Sequence, residues 1–140
     1  MTRAIACIGL VCLLSTGCAR KSAAPKVEED VKPAATATAE EILADYKKNE
    51  LAGDSKYKDK LIQISGTVAG VGKAPLLGYF VGFGASAEGV DQYDIMCFLD
   101  ESAKEEAAKL NKGDKVTLKG FCVGRPGGLV LKVNSCVVVK

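Results

Sequence analysis

The pattern of hydrophobic and polar positions divides the chain into a leader, a polar tether and a domain. An apolar run from Ala4 to Leu14 follows one positive charge at Arg3 and gives way to small residues at Ser15, Thr16 and Gly17. That three-part pattern predicts an export signal over residues 1–17. The run is too short to cross a bilayer as a helix, which takes about 20 apolar residues. Residues 19–39 mix Ala, Pro, Thr and both charge signs with no apolar period. They read as a flexible tether over residues 18–39, with a coil reach of roughly 25 Å.

Residues 40–140 read as one folded domain. Thr38 and Glu41 form a capping box, and Ile42, Leu43 and Tyr46 share one side of a helix running to about Leu51. After a break at Ala52–Ser55, residues 60–71 alternate and are rich in β-branched side chains, which predicts a long strand bent near Gly66 and Gly70. Residues 73–77 form a loop, and 78–85 and 93–99 form two further strands. A second capping box at Ser102 and Glu105 opens a short helix through Leu110, closed by Asn111-Lys112-Gly113. Residues 115–123 and 129–139 give two last strands around a turn at Gly124–Gly128. The fold class is mainly β: a five-stranded OB-fold-like Greek-key barrel with an N-terminal helix and a short helix between strands three and four.

Composition then removes whole classes of chemistry. The 140 residues include no histidine, which excludes a Ser-His-Asp triad, a Cys-His dyad and a His-ligated metal. Nineteen basic against seventeen acidic side chains leave a net charge of +2, which argues against a nucleic-acid partner. A phosphate loop around Gly72-Lys73 would need glycine at Thr67 and a hydroxyl residue at Ala74. The glycines at 82 and 84 are not followed by a helix with a ribose-binding acid. The acidic pairs Asp91/Asp94 and Glu105/Glu106 read as surface. No catalytic residue, cofactor or metal site is expected, and the domain reads as a binding module, not an enzyme.

Two groups of side chains remain. Cys97, Cys122 and Cys136 lie in the domain, and in an oxidising compartment two of them are expected to pair. Cys122 with Cys136 is the favoured pair and Cys97 with Cys136 the rival. OB-folds commonly bind along strands two and three. Tyr79 and Phe83 on strand two, Tyr93 at the start of strand three, and Lys73 and Arg125 near the loops are therefore the candidate ligand face. Such rings can stack bases or sugars.

Leu14-Ser15-Thr16-Gly17-Cys18 resembles the lipobox of bacterial lipoproteins, with its leucine one place further from the cysteine than is usual. The resemblance implies a diacylglycerol on the Cys18 thiol, a lipid-anchored domain outside the cytoplasm, and Ala19 compatible with the periplasmic face of the outer membrane. The domain in turn resembles the tRNA_anti-like group of bacterial OB-fold proteins. The likeness is carried by Tyr46 and Asn49, Tyr57-Lys58-Asp59-Lys60, Ile64 to Val68, Cys97-Phe98, the run Lys112-Gly113-Asp114 to Cys122-Val123-Gly124, and Leu131 to Val138. It implies an envelope binding module whose partner is a protein or small ligand, with an oligosaccharide or single-stranded nucleic acid as the alternative.

Overall fold

The structure, a computed structural model, describes residues 26–28, 30–84 and 93–140. The expected leader, Cys18 and Asp91 lie outside these residues.

The long strand is β2 (Leu61–Ala74), which serves both halves of the sheet. Its first half pairs antiparallel with β5 (Lys115–Gly124), Leu61 opposite Phe121 and Thr67 opposite Lys115. Its second half pairs antiparallel with β3 (Gly78–Phe83). The register shifts between Val68 and Gly70, where the strand changes partners, as the glycine-rich stretch predicts. Strand β4 (Ile95–Leu99) pairs antiparallel with β3 and parallel with β6 (Leu131–Val138), which returns to β5. The ring β2-β3-β4-β6-β5 thus closes on β2 as a five-stranded Greek-key barrel. Its interior is filled by Ile64, Val68, Val81, Phe83, Ile95 and Leu131, among others.

The N-terminal end of the domain departs from the sequence reading. Residues expected at the end of a free tether are tied to the barrel: β1 (Ala35–Thr38) pairs parallel with β2, Ala35 opposite Ile62. The Ala34 amide donates to the Leu61 carbonyl at 2.7 Å. The buried Lys119 donates through Nζ to the Val31 carbonyl at 3.1 Å, and Val27 is buried as well. The physical reason is an edge: past its pairing with β5, the first half of β2 offers a second row of backbone groups, and β1 satisfies them.

The helices also shift. The Thr38–Glu41 capping box forms in both directions, at 3.2 and 2.8 Å. Helix α1 (Ala39–Lys48) then stops at Asn49, whose side chain accepts from the Ala52 amide and starts α2 (Glu50–Tyr57). The expected break at Ala52–Ser55 is therefore helical. Gly53 is there for packing, because a Cβ on it would come within 2.9 Å of the Tyr46 ring. After β4 the cap is Asp100, not Ser102: its carboxylate accepts from the Ser102 amide and hydroxyl at 3.0 and 2.8 Å. A 3-10 turn (Glu101–Ala103) and α3 (Lys104–Ala107) follow, shorter than the helix expected to Leu110.

Candidate functional site

The β2–β3 hairpin builds one end of the barrel. Its pairing sets Lys73 opposite Tyr79, with the turn closed by the Leu77 amide on the Ala74 carbonyl at 3.3 Å. Tyr79 stands at the mouth, 41% exposed. The Lys73 ammonium lies 5.5 Å from its ring centroid, and that of Lys104, which opens α3, lies 5.2 Å away. Lys104 also pairs with Glu101. A cleft of about 550 Å³ opens beside the ring, with Val71, Leu99, Ala107 and Ala108 as its apolar wall and Glu105 also lining it. A ring flanked by two ammonium groups above an apolar wall suits a flat or apolar body carrying negative charge. Two such cation–ring contacts each contribute roughly 0.5–1 kcal/mol at an exposed site.

The other expected ligand residues do not join this cleft. Tyr79, Val81 and Phe83 do share one face of β3, as alternation predicts, but that face is the barrel interior. Phe83 is 0% exposed and lies where a Cβ on Gly66 would meet its ring at 2.9 Å. Tyr93 is on the outer side of the sheet, where Phe80 stands between it and Phe98 with ring centroids 5.5 and 6.0 Å apart. Tyr93 rests on Gly70 and Gly82, and Phe80 on Gly72, positions where a Cβ would collide with the rings. Arg125 is at the far end: Phe83, Ile95, Leu131 and the hairpin around Pro126–Gly128 are successive neighbours away from Tyr79. Its Nη2 donates to the Leu129 carbonyl at 2.8 Å, which braces that turn. Lys104 is not among the expected ligand residues, because it falls inside the short helix expected after Ser102. The signal for it is topological: in this barrel the segment after the third strand packs against the first hairpin.

The three cysteines are unbonded and buried. The expected Cys122–Cys136 bond is not formed, because the β5–β6 register sets Cys122 opposite Val133. An irregularity between Lys119 and Phe121, with Ser135 at a φ of 54°, carries Cys136 over Gly120 and toward Leu99 of β4. The Cys136 thiol donates to the Val133 carbonyl at 3.6 Å. Burial pushes the thiols of Cys136 and Cys122 above their ordinary range, so both stay protonated and inert at neutral pH. Among the described residues no set of His, Cys, Asp or Glu gathers as metal ligands.

The polar residues around α1 and α2 form a brace. The Tyr57 hydroxyl and the Lys56 ammonium both donate to Asp45, at 2.6 and 2.7 Å, and hold its carboxyl below the usual range. The Tyr46 hydroxyl donates to Asp54 at 3.0 Å. The Asp59 amide donates to the Cys122 carbonyl at 2.8 Å and ties the end of α2 to β5.

Among the described residues no helix is long and apolar enough to cross a membrane. The family model described as tRNA_anti-like matches residues 1–137. Among solved structures, the chain is similar to one from Klebsiella pneumoniae named a "putative nucleic acid-binding lipoprotein". That likeness has a TM-score of 0.59 at 16% identity, over 75% of this chain and 91% of that one, and speaks to the fold. No curated protein matches the chain.

Proposed function

The chain belongs to the tRNA_anti-like family, and from that membership together with the cleft at Tyr79 we propose a non-enzymatic binding module of the bacterial envelope that takes a small organic anion. The chain is held at the membrane by a lipid on Cys18, with the barrel outside the cytoplasm. The observation that carries the ligand class is the placement of two ammonium groups against one exposed ring beside an apolar wall. The volume matches small-molecule sites, which run about 300–1,000 Å³. The lipoprotein name of the Klebsiella structure supports the anchor.

A single-stranded nucleic acid is the second reading, favoured by the name of that same structure and by the outer ring cluster Phe80, Tyr93 and Phe98. Against it, Phe80 and Phe98 are buried and present no open face to stack on. The test is fluorescence titration with anilinonaphthalene sulfonate, a flat apolar anion, beside oligonucleotide titrations at two salt concentrations. Expected is sulfonate binding that Tyr79→Ala and Lys73→Gln each weaken. Oligonucleotide binding that falls steeply with salt and ignores Tyr79→Ala would establish the second reading instead. Release of the Cys18→Ser chain from the membrane fraction tests the anchor, and unchanged fractionation contradicts it.

A further inference from the structure

We propose that the tip of the β2–β3 hairpin, residues 74–77, is a membrane-docking element that sits in the headgroup layer of the bilayer to which the chain is anchored. The proposal rests on the envelope address above and is independent of what the cleft binds. Leu76 is fully exposed and Leu77 is 57% exposed, two adjacent large apolar side chains held away from every core contact. Leu76 has a φ of 65°, a conformation that disfavours leucine. The turn thus presents an apolar side chain outward from a strained backbone, with no packing inside the barrel in return.

What surrounds the tip matches a water–lipid boundary. Lys73 and Tyr79 face each other just behind it. A lysine stem and an amphipathic ring at that depth place their polar ends among headgroups while the leucines reach the acyl boundary. No acidic residue occurs between Gly66 and Ala87, so the hairpin itself carries no charge that lipid phosphates repel.

The chain path supplies the orientation. Val27 lines a hollow with Ser102 and Ala103, next to α3, whose Lys104 reaches Tyr79. The N-terminal segment therefore joins the barrel at its hairpin end. Eight peptide steps separate Cys18 from Lys26, a span of at most about 29 Å when fully extended. That reach lets a lipid on Cys18 enter the same bilayer that the hairpin tip would touch.

The chain contains no tryptophan, so one introduced indole reports alone. The full exported chain carrying Leu77→Trp is mixed with vesicles of phosphatidylethanolamine and phosphatidylglycerol, with and without brominated acyl chains. The matched control is Leu129→Trp, an exposed position at the opposite end of the barrel. Expected is blue-shifted Leu77→Trp emission that brominated lipid quenches, with neither effect for Leu129→Trp, and loss of the quenching when Leu76→Asp is added. Flotation with the vesicles without quenching overturns the docking and leaves the anchor standing. A blue shift that depends on protein concentration and ignores bromine assigns the tip to a second copy of the chain and also overturns it. A chain that does not float overturns both docking and anchor.

Discussion

Phe83→Ala and Tyr79→Ala separate a core ring from a ligand ring on the same strand. Phe83 is wholly buried, and its ring fills the space above Gly66, which Ala39 also borders. Removing a buried phenylalanine costs roughly 3–5 kcal/mol, because the transfer energy is lost and the cavity only partly collapses. That is a large share of a total stability of about 5–15 kcal/mol. For a domain of this size each kcal/mol moves Tm by about 4–8 °C, so Phe83→Ala should lower Tm by at least about 12 °C. Tyr79 is 41% exposed, and the ring contacts it gives up are with two surface lysines, one of which keeps its ion pair with Glu101. Its replacement should cost about 1–2 kcal/mol, below the Phe83 value, and lower Tm correspondingly less. Thermal unfolding followed by circular dichroism, with sulfonate binding measured well below Tm, reads both effects. Phe83→Ala should keep binding and lose most stability, and Tyr79→Ala should lose binding with the smaller loss of stability. A Phe83→Ala protein that melts with the parent while losing the ligand would refute the assignment of that ring to the core.

Two further expectations concern protonation and the thiols. Cys97, Cys122 and Cys136 are buried and unbonded, so a thiol reagent should leave all three unmodified in the native protein and label all three after denaturation. A mapped disulfide among them contradicts the structure. The carboxyl of Asp45 is lowered by the Lys56 ammonium and Tyr57 hydroxyl, and that of Asp100 by the Ser102 amide and hydroxyl. A carboxyl lowered on folding stabilises the protein above its unfolded pKa of about 3.9 and loses that contribution as pH falls through the folded value. Urea midpoints should therefore stay level from about pH 5 to 8, where no histidine titrates, and drop below about pH 4, less steeply in Asp45→Asn. A midpoint that moves between pH 5 and 8 counts against this account.

The barrel was legible because its strands follow period two and its turns carry glycine, and β2 and β5 run within a few residues of where alternation puts them. Three features were hidden for separable reasons. Gly53 looks like a helix breaker in sequence, and only the Tyr46 ring across from it shows that the missing Cβ is a packing requirement. The strand Ala35–Thr38 has no apolar run to announce it, since it forms by completing the edge of β2. The ligand face was half legible. Alternation puts Tyr79 and Phe83 on one side, but whether that side faces solvent depends on where the barrel closes, and closure lies between them.

The residues that carry the family likeness turn out to hold the fold together. Asn49 starts α2, Tyr46 and Tyr57 fasten the two helices through Asp54 and Asp45, and Asp59 ties α2 to β5. In the run from Lys112 to Gly124, the Gly113 amide donates to the Val68 carbonyl and the Val68 amide to the Asp114 carbonyl, both at 2.8 Å, and Gly120 makes room for Cys136. None of them lines the cleft at Tyr79. Lys73, Tyr79, Lys104 and the two leucines of the hairpin tip stand outside those motifs, at one end of the barrel. The side chains that hold the barrel and those that line the cleft are therefore different sets. Proteins that share this signature are expected to agree in fold and to differ in ligand, and a functional comparison among them should begin at the hairpin and α3.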